Sequence, residues 1–188
     1  LNDSIPDGLN LVKNIRPQKL FLTKMVPDNF SSYLGFPLDN IDQLESNFKG
    51  LSRRINLAVK KTNLSRIKNL KEIAWIESGG DASLIFNIND AKENFPDFFL
   101  SVEEPKKFRN FAYKQLSLPE NIKALLAVFT DKINPKWGCW HENILIMSET
   151  ESGLKNILGN YLDRNTLETN PAFKNLKEKL VNKNSFLW

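Results

Sequence analysis

Glu72-Ile-Ala-Trp-Ile-Glu-Ser78, then Gly79-Gly80-Asp81, then Ala82-Ser-Leu-Ile-Phe-Asn-Ile88: two apolar, partly β-branched runs flank a pair of glycines. Glycine reaches the positive φ angles of a tight hairpin turn without a steric penalty, so this stretch predicts two antiparallel strands. The glycines are not a phosphate loop. No Lys-Ser/Thr follows them, and the next element is a strand rather than a helix.

Upstream of the hairpin, Ile41, Leu44, Phe48, Leu51, Ile55 and Ala58 recur at spacings of three and four, which draws one apolar stripe along a helix. Asp39 or Asn40 can cap its start, with Gln43 three residues after Asn40. Gly50 inside it costs about 1 kcal/mol relative to alanine, which the stripe absorbs. Asn63 to Leu70 reads as a further helical turn or two. Before the long helix, Phe30 to Leu38 reads as a strand with Phe30, Ser32, Leu34 and Phe36 on one face and Tyr33 on the other. Pro27-Asp28-Asn29 is a turn signal. Residues 1–28 are expected as a loosely structured lead-in, with a short helix or strand at Lys19 to Val26.

Downstream, Asp90 to Glu93 is a capping box that opens a helix. Glu104-Pro105 reads as the start of another, with Phe108, Phe111, Ala112 and Leu116 facing inward. Ile122 to Thr130, Trp137 to His141 and Ile144 to Met147 read as strands, joined by turns at Asn134-Pro135 and Glu142-Asn143. Ser148 to Glu151 forms a capping box before a helix carrying Leu154, Ile157, Leu158, Tyr161 and Leu162. Asn170-Pro171 opens a last helix with Phe173, Leu176 and Leu180, and a final strand begins near Asn184. Short turns make neighbouring strands antiparallel, and helices fall between groups of strands. The expected fold is α+β: one domain over 1–188, an antiparallel sheet with helices mainly on one face, in two loosely similar halves.

Composition narrows the class. The 188 residues are 41% hydrophobic and 26% charged, an ordinary globular balance. The longest apolar run, Ala124 to Phe129, is far short of the roughly 20 residues a spanning helix requires. The net charge of +4 is carried mostly by Lys dispersed along the chain, with Arg only at 16, 53, 54, 66, 109 and 164. A nucleic-acid surface gathers Arg on one face, so no nucleic-acid partner is expected. Lys174, Lys177, Lys179 and Lys183 read as a solvated helix face.

Chemistry is sparse. The single cysteine and single histidine, Cys139 and His141, stand two apart on one strand, so they share a face. Neither a third metal ligand nor an orienting group accompanies them. Glu103-Glu104 and Glu149/Glu151 sit at helix starts, where negative charge is favoured by the macrodipole. No catalytic residue, metal site or cofactor is therefore assigned. Trp137 and Trp140, with His141 beside them and with Tyr33 and Trp75, are the features most like a recognition surface. Alternation places the two tryptophans on opposite faces.

Leu125 to Phe129, Trp137-Gly-Cys-Trp140, Asn143 to Met147, Ser148 to Leu162, Leu167 to Phe173 and Asn184 to Trp188 follow one another in an order that resembles a known grouping. Pro27-Asp28-Asn29 before the first strand fits it too. This pattern is similar to that of uncharacterised bacterial cell-envelope proteins grouped as domain of unknown function 3352, over about residues 22–188. The resemblance implies an exported or lipid-anchored protein, periplasmic or at the cell surface, whose chain continues past Trp188. It carries over no functional residue. The resulting expectation is a non-enzymatic domain that binds a protein or another ligand, its partner another envelope protein or the remainder of its own chain. The alternative is a hydrolytic enzyme domain whose active site is unrecognised or is completed by chain outside this stretch.

Overall fold

A computed structural model describes residues 10, 12–16, 18–54, 69–89, 104–116 and 134–179 of the chain. The sequence hairpin is its centre. Strand β2 (Leu70–Ser78) turns through Gly79 and Gly80 at φ +62° and +84° into β3 (Asp81–Ile88). Two consecutive left-handed residues match the twist of a two-residue hairpin. Strand β1 (Phe30–Pro37) lies antiparallel on the outer side of β2, and α1 (Ile41–Arg54) follows β1. The Asn40 side chain accepts a hydrogen bond from the Gln43 amide at 3.0 Å, the cap the sequence suggests.

The second meander comprises β4 (Lys106–Phe108), β5 (Phe111–Gln115), β6 (Trp137–His141) and β7 (Ile144–Ser148). β3 and β7 pair antiparallel, which joins the two meanders into one seven-stranded sheet of order β1-β2-β3-β7-β6-β5-β4. The Ser83 hydroxyl donates to that of Ser148 at 2.9 Å along this buried seam. Helices α2 (Glu151–Asp163) and α3 (Pro171–Lys179) complete the described elements. The architecture is α+β, as expected.

Both faces of the sheet are covered. α1 lays Leu44, Phe48 and Leu51 on one face, against Leu84, Phe86, Leu145 and Met147. On the other, α2 contributes Leu154, Ile157 and Leu158, α3 contributes Phe173, and the 3-10 turn Leu22–Lys24 with its successors Met25 and Val26 fills the rest. Two of the three described helices thus share a face. Double coverage explains why Ile144–Ser148 is an unbroken buried run instead of an alternating one.

Three expectations need correction. Residues 104–116 hold no helix at 106–115: β4 and β5 form a hairpin around Arg109-Asn110, with Arg109 at φ +50°. Residues i and i+3 share a helix face, but they also share a sheet face when they flank a two-residue turn, as Phe108 and Phe111 do. Leu116 instead packs on the α1 side, and Ala112 is exposed. Second, the helix cap of α2 is Thr150, whose hydroxyl accepts from the Gly153 amide at 2.9 Å, while Ser148 still belongs to β7. Third, a register shift between Phe30 and Ser32 brings Phe30 to the face of Tyr33, with their rings edge to face at 6.5 Å. One bulged residue inverts the alternation before it. The expectations at 55–68, 90–100, 122–130 and 184–188 lie outside the described residues.

Candidate functional site

The Trp137-Gly-Cys-Trp-His141 strand lies between β5 and β7, with Cys139 opposite Tyr113 on one side and Ile146 on the other. Alternation sends Trp137, Cys139 and His141 towards α2 and Trp140 towards the α1 cluster, as the sequence indicates. Both tryptophans are half-buried. Trp75 packs on the α1 side, and Tyr33 is buried on the other, so these four aromatic residues do not gather on one surface.

Trp137 forms the back of a shelf built by the β4–β5 hairpin and the first turn of α2. The Lys106 ammonium sits 4.5 Å from the centroid of its indole ring, and the Tyr113 ring centroid is 6.0 Å away. Glu151 ties the shelf together. Its carboxylate accepts from Lys155 at 2.7 Å, from the Tyr113 hydroxyl at 2.7 Å and from Lys106 at 2.9 Å. These bonds, that of Lys155 foremost, hold its carboxyl down at about 2. Phe108 lies beside the same cluster, with the Lys155 ammonium 5.9 Å and the Arg109 guanidinium 5.7 Å from its ring.

His141 is half-buried among aromatic rings, edge to face with Phe111 at 5.0 Å and with Tyr161 at 5.6 Å. Its Nε2 is 3.4 Å from the Tyr161 hydroxyl, near the limit for a hydrogen bond. Cys139 is fully buried, and burial pushes its thiol up to about 12. A thiol that stays protonated at neutral pH is neither a nucleophile nor a ready metal ligand. No cluster of three or more His, Cys, Asp or Glu side chains suited to a metal exists among the described residues.

Sequence reasoning finds Trp137, Trp140 and His141 but misses their neighbours. Glu151 and Lys155 were legible as an i,i+4 pair. Lys106 and Tyr113 were not, because they reach the shelf only through the hairpin that reads as a helix. A separate groove of about 350 Å³ lies at the opposite edge of the sheet, lined by Phe30, Ser31, Ser32, Tyr33, Leu167, Phe173 and Leu176. It shares no residue with the shelf. Comparison of the chain with protein-family models, with curated proteins and with solved structures finds no match in any of the three.

Proposed function

We propose that this chain is a non-enzymatic binding domain of a larger bacterial envelope protein, and that the shelf around Trp137 is its recognition surface. The single observation that supports the reading is the way Trp137 is held. Its ring is fixed by Lys106 and Tyr113, and these are in turn fixed by Glu151. A rigid, half-exposed indole beside cations loses little conformational freedom on binding, which favours affinity. The resemblance noted in the sequence supplies the envelope setting and points to a partner protein or a glycan-like ligand.

The hydrolytic alternative has less support. Catalysis requires a nucleophile or base open to substrate, and the Cys139 thiol, the group best suited by type, is sealed in the core. No helix among the described residues is long and apolar enough to cross a membrane.

The export half of this reading is tested by fusing alkaline phosphatase, which matures only outside the cytoplasm, to the natural full-length protein. An active fusion is expected; an inactive one contradicts an envelope location. The binding half is tested by titrating soluble peptidoglycan fragments, and separately the remainder of the natural chain, while recording Trp fluorescence. A saturable change lost in Trp137→Leu supports the shelf. A change that persists in that variant, or none with either probe, contradicts it.

A further inference from the structure

Glu72 on β2 is 1% exposed and lies on the same face as Ala74 and Ile76, under the segment Leu20–Val26. One oxygen of its carboxyl, Oε2, accepts the amides of Phe21 at 2.7 Å and Leu22 at 3.1 Å, at the start of the 3-10 turn. The other, Oε1, has no hydrogen-bond partner among the described residues. Neither has the Tyr33 hydroxyl or the Thr23 hydroxyl, which are also buried.

The sheet register shows how Tyr33 approaches. Gly35 pairs with Ala74 and Pro37 with Glu72, so Tyr33, opposite Ile76, begins four pairs back from Glu72 along β1. A β-carbon built on Gly35 would stand 2.4 Å from the Tyr33 hydroxyl. The phenol therefore lies along β1 over the missing side chain of Gly35, with its oxygen displaced towards Glu72.

The segment Leu20–Val26 is a strap. Leu22, Met25 and Val26 are wholly buried, and its far side is held by the loop between α2 and α3: the Leu167 amide donates to Val26 and that of Glu168 to Thr23, at 2.8 and 3.3 Å. On the sheet side, Glu72 ties it through the two amides.

We propose that this strap is a proton-operated latch: a neutral Glu72 closes it onto the sheet, and loss of the Glu72 proton to solvent loosens it. The chemistry follows from what surrounds the carboxyl. When neutral, the acid keeps a carbonyl oxygen for the two amides and carries no charge for the dry site to penalise. When ionised, a buried carboxylate with two donors lacks the further donors that its remaining lone pairs require. Opening the strap is the shortest way to hydrate it.

Among the described residues that face it, no cation compensates. Tyr33 on β1 is the titratable neighbour, and its phenol is pushed upward by burial and by the Glu72 charge. Across the sheet on β3 stands Asn87, which is neutral. On the strap, the Lys24 ammonium is turned onto the Phe21 ring, 3.8 Å from its centroid. Lys71, beside Glu72 on β2, is exposed. Burial accordingly lifts the Glu72 carboxyl to about 7, the two amides offsetting only part of the shift. From an ordinary value near 4.5 that is at most two and a half powers of ten, about 300-fold, in the strap's opening constant.

Native-state hydrogen exchange of the 188-residue chain tests the latch. Between pH 5 and 8.5, with intrinsic exchange rates corrected, the protection of the Leu22 to Val26 amides should fall by up to about 75-fold, since part of the change lies below pH 5. In Glu72→Gln it should stay level. Protection that stays level in the wild type, or that falls equally in Glu72→Gln, overturns the proposal. Should the variant fail to fold, the wild-type amide proton shifts of Phe21 and Leu22 decide alone. Both should titrate together with a midpoint near neutrality, and no inflection between pH 5 and 8.5 overturns it.

Discussion

Glu72 and Glu151 belong to one chain and face the same side of one sheet, yet their protons bind with opposite preferences. Glu151 is partly exposed at the edge of the molecule, where Lys155, Tyr113 and Lys106 all donate to it, and it holds its charge down to about 2. Glu72 is buried under the strap with two backbone amides for partners and one oxygen unpartnered among the described residues, and it keeps a proton up to about 7. Exposure alone does not make the difference. Side-chain donors that carry charge stabilise a carboxylate, while two neutral amides in a dry site do not offset its lost hydration.

The largest effect expected from breaking this contrast is at Glu72. Its folded-state carboxyl lies above the unfolded value, so its contribution to stability is complete below about pH 4.5 and is lost as pH rises through about 7. Denaturant unfolding should show the wild type losing up to about 3 kcal/mol from this group between pH 5 and 8.5. Glu72→Gln should remove that slope. An equal slope in both proteins would place the titrating group elsewhere.

Steric changes come next, and they sharpen the comparison by striking each region once. Gly138→Ala on β6 would set a β-carbon 1.7 Å from Leu116 Cδ2, and Gly35→Ala would drive the Tyr33 hydroxyl from its place over β1. Each should cost about 1–3 kcal/mol by overpacking a closed interior. Only Gly35→Ala should also move the Glu72 titration; a shift caused by Gly138→Ala would contradict the separation of the two regions.

Glu151 should give a smaller effect of opposite sign. Its folded-state carboxyl lies below the ordinary value, so the stability it contributes is present above about pH 4.5 and is lost as pH falls towards about 2. Glu151→Gln should flatten that acid limb and leave the neutral range alone. The smallest change is Lys106→Ala, which removes an exposed ion pair and a cation over the Trp137 ring. A loss of under about 1 kcal/mol is expected. A shift in the Trp137 emission maximum, in a background lacking the other tryptophans, should report the bared indole.

Legibility in the sequence divides along the same line as the two glutamates. Elements set by local pattern were readable: the Gly79-Gly80 turn, the Asn40 cap with its Leu44, Phe48 and Leu51 stripe, and the opposite faces of Trp137 and Trp140. Phe108 and Phe111 were ambiguous in principle, since a three-residue interval serves both a helix stripe and the shoulders of a tight hairpin. Trp137, Trp140 and His141 stand out by residue type alone, whereas the support of Trp137 by Lys106 and Tyr113 exists only in the fold of that hairpin. Glu72 left no signal at all. Its partners are backbone amides 50 and 51 residues away, which no side-chain pattern records. The bulge at Ser31 likewise depends on the pairing of β1 with β2 and not on the composition of either strand.

The opposed proton affinities of the two regions can be read in a single titration of the side-chain carboxyl carbons by nuclear magnetic resonance. The Glu72 signal should move with a midpoint near 7 and the Glu151 signal with one near 2. Two midpoints both within the ordinary glutamate range would contradict the buried latch and the charged shelf together.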